Sequence, residues 1–119
     1  MTEVPLKVGF VGCGGISRTY TFIYASLADL AQVVAVADVV EGQPEKRAEA
    51  LTNSYRTEAH RSRALAVDSR SDEEREELLG YAEAAEAAAA VNIRTYRSYE
   101  DLLKDDEVEV MVLLTPPTV

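Results

Sequence analysis

Lys7-Val8-Gly9-Phe10-Val11-Gly12-Cys13-Gly14-Gly15-Ile16-Ser17-Arg18 sets the reading of the whole chain. Val8 to Val11 is a short apolar run, long enough for a buried strand. Glycines follow in the spacing G-x-G-x-x-S through Gly12, Gly14 and Ser17, and a segment with helical spacing comes next. Each small residue has a task in a strand, turn and helix of this kind. Gly12 lets the chain turn sharply out of the strand. Gly14, lacking a side chain, lets a pyrophosphate approach the backbone, and Ser17 is small enough for the helix to lie close to the strand. That helix starts with unpaired N–H groups and the positive end of its dipole aimed at the phosphates.

A glycine spacing also fits an ordinary turn, so the flanking sequence decides. Phe22, Ile23, Leu27 and Leu30 predict one apolar helical face between Tyr20 and Leu30. Val33 to Ala37 predicts a second buried strand. Asp38 stands at its C-terminal tip, placed to accept hydrogen bonds from ribose hydroxyls. Strand, turn, helix, strand and acid together predict a dinucleotide-binding βαβ unit. The plain alternative is a doubly wound sheet holding an unrelated ligand, with Asp38 only a turn residue.

Bulk properties narrow the classes. With 119 residues the chain is one domain or part of one. Its net charge of −9 argues against a nucleic-acid partner, which calls for a basic stripe. No apolar run approaches the ~18–20 residues that cross a bilayer. Lys7 before an apolar stretch imitates a signal peptide, but the glycines there and the lack of a small-residue cleavage site argue against one. A single cysteine excludes an internal disulfide framework and fits a reducing cytoplasm. Cys13 near a helix N-terminus could be acidified, yet a residue there more often just turns its backbone to a ligand. With His60 far from Cys13 in sequence, no metal site is supported.

After Asp38, Val39 to Pro44 reads as a loop, with Pro44 suited to a helix's first turn. Glu45 to about His60 predicts a second helix with Ala48, Leu51 and Tyr55 on one side and Lys46, Arg47, Glu49 and Arg56 on the rest. Tyr20, Tyr24 and Tyr55 are expected in rim or core packing. Arg61 to Arg70 is mixed and polar. Ser71 and Glu74 fit a capping box ahead of an alanine-rich helix over Asp72–Ala90. Leu78, Leu79, Ala82, Ala85 and Ala89 predict tight, shallow packing there; Glu73 to Glu77 reads as a solvated face. Residues 61–90 therefore look like a helical insertion: a lengthened surface connection, a subunit contact, or a flap beside a nucleotide's adenine end. Asn92–Ser98 predicts a third strand. Glu100-Asp101-Leu102-Leu103 starts a brief helix that Asp105-Asp106-Glu107 closes. Val108–Leu114 predicts a last strand, apolar enough for a parallel sheet covered on both faces. The alternation predicts an α/β, doubly wound parallel sheet with right-handed crossovers.

The glycine turn, Asp38, the Tyr99-Glu100-Asp101-Leu102-Leu103 segment and the Thr115-Pro116-Pro117 ending occur in an order that resembles the nucleotide-binding part of the Gfo/Idh/MocA family, the glucose-fructose oxidoreductase and inositol dehydrogenase relatives. The resemblance spans the chain apart from residues 61–90, and the threonine-proline-proline ending is its most discriminating piece. It implies a partial Rossmann-type domain over residues 1–119 of an NAD(P)-dependent oxidoreductase acting on a sugar, cyclitol or similar polyol. Gly12, Gly14, Gly15, Ile16 and Ser17 would face the pyrophosphate, Asp38 would hold the adenine ribose, and Thr115, Pro116 and Pro117 would line the cofactor near its ribose and nicotinamide portion. Ser17 departs from the usual glycine or alanine but is small. Family members continue with a helix, a strand bearing a glutamate-lysine-proline motif and a second α/β domain. The motif's lysine and a histidine of that domain handle protons, so catalytic residues are not assigned here and the sequence reads as cut short at Val119.

Asp38 with Val39 and Val40 after it favours NAD over NADP: the carboxylate repels a 2′-phosphate and no arginine follows directly. The expected partners are a small-molecule substrate of the parent enzyme and, because an uncovered apolar edge strand associates, further copies of the chain in a homo-oligomer or poorly soluble assembly. Two other functions stay open. One is a non-catalytic NAD-binding regulatory or structural module. The other is an S-adenosylmethionine-dependent methyltransferase, whose glycine loop and acid look alike but which calls for no proline pair after the fourth strand.

Overall fold

The computed structural model describes residues 4–114, so the Thr115-Pro116-Pro117 ending lies outside the described residues. The elements are β1 (Leu6–Val11), α1 (Gly15–Ala25), β2 (Ala31–Ala37), α2 (Gln43–Val67), α3 (Asp72–Ala89), β3 (Arg94–Tyr96), α4 (Tyr99–Leu103) and β4 (Val110–Leu113). The four strands form one sheet in the order β3-β2-β1-β4, every pair parallel. The chain steps outward from β1 to β3 and then returns to the other side of β1. That reversal places a topological switch point between β1 and β4, and ligands of open α/β sheets bind in the crevice beyond the strand ends at such a point. The Gly12 turn leaves β1 there.

Apolar side chains of the central part of the sheet, in β1 and β2, are covered on both faces, as in a doubly wound sheet. On one face Val8, Phe10, Val33 and Val36 pack with Ala25, Leu51, Tyr55 and Ala88 of α1, α2 and α3. Phe10 meets Tyr24 edge to face, centroids 5.2 Å apart. On the other face Val34, Ala35 and Ala37 pack on Leu102 of α4. A Cβ built on Gly9 would lie 2.9 Å from Leu102 Cδ2, so this face of β1 must be bare for α4 to close on it. The β1–β2 register skips Val34, a bulge that puts Val34 and Ala35 on the same face and shifts the alternation beyond it. β3 pairs with β2 only over Ala35–Ala37, and beyond its reach the Val33 N–H donates to the buried Tyr55 hydroxyl at 3.0 Å.

Several expectations from sequence are corrected. Phe22, Ile23, Leu27 and Leu30 do not form the packed face of α1: Phe22 is 66% and Leu30 60% exposed. Ser17, Thr21, Ala25 and then Ala28 face inward instead. Small side chains fill the fully buried row of α1, and Tyr20 and Tyr24 pack on the core beside it. The second helix does not end near His60 but runs to Val67, because Ala59 and Ala66 prolong the buried row of Leu51 and Tyr55. At 1.5 Å per residue, α2 is roughly 37 Å long, well beyond the span of the seven-residue β2. α3 lies along α2, Ala82, Ala85 and Ala88 being its buried residues, so the shallow packing holds although Ala88 takes the place expected of Ala89. Ser71 caps α3 by accepting the Glu74 N–H at 3.0 Å. Residues 61–90 are thus helical, the end of α2 plus α3, pinned by the Arg63–Glu86 pair and by Gln32, which donates to Ala28 and Ala84 carbonyls. β3 is shorter than Asn92–Ser98. β4 is an edge strand with Leu113 65% exposed among the described residues, not a strand covered on both faces.

Candidate functional site

Gly12 has φ +99°, a conformation that L side chains rarely adopt, so the turn out of β1 demands glycine on backbone grounds. Its N–H donates to the Ala37 carbonyl at 2.8 Å, tying the turn to the end of β2. Gly14 and Gly15 are different. Gly14 sits at φ −78°, open to any residue, and a Cβ at either position would meet nothing within 4 Å. Neither packing nor strain explains them. The bare backbone faces open space at the start of α1.

α1 begins without a side-chain cap and with no acid in its first turn. α3 and α4 each begin with a serine cap and acids. Ser17 is fully buried, its hydroxyl donating to the Gly14 carbonyl at 2.6 Å, which is the close-packing role its size allows. Ile16, by contrast, is exposed.

Asp38 lies at the tip of β2 and reaches back to the turn. Its Oδ2 accepts the Cys13 N–H at 2.7 Å and its Oδ1 the Val40 N–H at 2.8 Å. The acid therefore fixes the glycine turn as well as standing at the ribose position. Each carboxylate oxygen keeps a second lone pair for a hydroxyl donor. Cys13 is buried, its thiol directed to the Ala37 carbonyl. Burial first, and the Asp38 carboxylate second, push that thiol up to about 12, which leaves it without thiolate character at neutral pH.

The structure thus brings Gly12, Gly14, Gly15, Ile16 and Asp38 to one end of the sheet, at the switch point. Thr115, Pro116 and Pro117 lie outside the described residues; the last described residue, Leu114, donates its N–H to the Val11 carbonyl. A cleft of about 680 Å³ lies elsewhere, between α2 and α3, and is lined by Arg56, His60, Arg63 and Glu86 among others. Its charges are partly paired internally and nothing in it converges on the strand ends. Among the described residues no three His, Cys, Asp or Glu side chains gather as metal ligands, and no helix is long and apolar enough to cross a membrane.

Sequence reading missed Arg47, which it left as surface decoration. Arg47 Nη1 donates to the buried Thr21 hydroxyl of α1 at 3.1 Å. It also missed Asp105, read only as part of an acidic run. Asp105 accepts from Arg94 and, at 2.7 Å, from the Tyr96 hydroxyl. A usable signal for the first existed: consecutive helices on one sheet face point the same way, so cations early in both fall together. Comparison with models of known protein families and with curated proteins finds no match.

Proposed function

We propose that this chain binds a nicotinamide dinucleotide and forms the cofactor-holding part of an oxidoreductase. The observation that carries the reading is the Gly14–Gly15 backbone: two glycines that neither fold nor packing requires, bare at an uncapped helix start. A pyrophosphate is the group that profits from such a surface, since its oxygens take the free N–H groups and favour the positive helix end. Gly12 shapes the turn, Gly14, Gly15 and Ile16 present backbone to the diphosphate, and Asp38 accepts from the adenine ribose hydroxyls. When bound, the nicotinamide supplies hydride transfer. The chain's own part is to bind and orient it, and Asp38 does so while holding the turn through Cys13. The Asp38 carboxylate favours NAD over NADP, and the polyol substrate class rests on the resemblance in residue order alone.

Calorimetric titration with NADH, NADPH and S-adenosylmethionine tests this. The reading expects NADH to bind, to weaken in Asp38→Ala, and to resist displacement by S-adenosylmethionine. Preferential binding of S-adenosylmethionine would transfer the site to methyl-transfer chemistry.

A further inference from the structure

A cleft of about 470 Å³ opens between α1 and α2, lined by Arg18 and Thr21 from α1 and by Gln43, Lys46, Arg47 and Ser54 from α2. No carboxylate lines it, in a chain whose 21 acids outnumber its 12 Lys and Arg. Among the described residues Arg18, Lys46 and Arg47 form no ion pair, a property they share with Arg56, Arg70, Arg97 and Lys104, but only these three gather in one cleft without a carboxylate in its lining. Arg47 has a single neutral acceptor, Thr21 Oγ1, and its Nε is buried with no acceptor at all. Thr21 donates in turn to the Ser17 carbonyl at 2.8 Å, so the guanidinium is held by a buried chain rooted in the glycine-turn helix. Arg18 and Lys46 are each the fourth residue of their helices, at the end of the first turn, where the dipole still adds positive potential and disfavours a cation lacking an anion.

We propose that this cleft is an oxyanion subsite that takes a phosphomonoester, with Arg47 and Arg18 on its oxygens and Lys46 at the rim. A guanidinium matches two phosphate oxygens at once and an ammonium serves as a point charge. Thr21 orients Arg47 and does not itself need to touch the ligand. The group it takes is a separate phosphate ester, because the Asp38 carboxylate disfavours the 2′-phosphate of a dinucleotide whose ribose it holds. The subsite does not depend on the dinucleotide reading, because inorganic phosphate alone suffices as its probe.

The test is an NMR titration of the 119-residue chain with inorganic phosphate at constant ionic strength, following the Arg47 side-chain N–H. Arg18→Ala and Lys46→Ala, both at exposed positions, are compared with the parent. A saturable shift, weakened about tenfold in either variant as loss of one charge-assisted contact implies, supports the subsite. No saturable shift beyond that given by sodium chloride, or an affinity unchanged from the parent in both variants, overturns it. Adenosine 2′,5′-bisphosphate and adenosine 5′-phosphate then test the separate-ester assignment. Displacement of phosphate by either one places a nucleotide phosphate in the cleft and overturns the separate-ester assignment, displacement by the first alone also overturning the preference for NAD; phosphate retained alongside both supports the separate ester.

Discussion

Replacing Asp38 by alanine will destabilise the protein even with no nucleotide present. Asp38 holds two backbone N–H groups, that of Cys13 at 2.7 Å in a part-buried setting and that of Val40 at 2.8 Å in an exposed one. A hydrogen bond to a charged acceptor contributes about 1.5–3 kcal/mol net when its donor is left unpaired on removal. The Cys13 bond carries most of this, because water readily replaces the exposed bond to Val40. A total of ~2 kcal/mol follows. With an unfolding entropy of ~2.1 cal/mol/K per residue, a chain of 119 residues loses about 8 °C in Tm. Asp38→Asn keeps one acceptor and should lose roughly half as much. Thermal unfolding followed by circular dichroism, without ligand, measures both. A Tm for Asp38→Ala within about 1 °C of the parent would refute the claim that this carboxylate pins the turn.

Three further outcomes follow from the packing. Gly9→Ala places a Cβ 2.9 Å from Leu102 Cδ2 and 3.1 Å from Val108 Cγ1; overpacking should cost about 1–3 kcal/mol in urea unfolding, with Leu102→Val restoring part. Tyr55→Phe strands the buried Val33 N–H at about 1–3 kcal/mol and should speed hydrogen exchange at that amide. Asp105, its side chain 5% exposed, is held down to about 2 from 3.8, first by the Arg94 hydrogen bond and then by that of Tyr96, against the opposing effect of burial. Its folded value lies below its unfolded one. The ~2 kcal/mol it contributes is therefore present above about pH 4 and lost as pH falls towards 2. Stability measured across that window should fall in the parent and stay flatter in Asp105→Asn.

The site's backbone was legible in sequence because backbone requirements are written in residue type. A turn at φ +99° needs a glycine, and an acid after an apolar strand lies at that strand's tip. The buried side of α1 was not legible. Its inward positions are Ser17 and Thr21, polar residues buried only because the helix lies close to the sheet and their hydroxyls bond the helix's own carbonyls. Apolar periodicity pointed instead to Phe22 and Leu30, which the fold leaves exposed. The true length of α2 was hidden for a related reason: its outer half packs through Ala59 and Ala66, whose small side chains give little periodic signal. Asp105 and Arg47 find their partners across elements, so no local window contains both ends of either interaction.

The most direct test of the central claim uses Gly14→Ala. Gly14 has an ordinary φ of −78° and open space where a Cβ would go, so the substitution should leave folding stability within about 1 kcal/mol, reduced backbone entropy offsetting a poorer helix cap. The same methyl group would occupy the ground a pyrophosphate needs. Calorimetric titration with NADH should therefore show binding to the parent chain and at least a roughly tenfold loss, about 1.4 kcal/mol, in Gly14→Ala at unchanged Tm. Equal affinity in the two proteins, or no NADH binding by the parent, would contradict a dinucleotide site at the glycine turn.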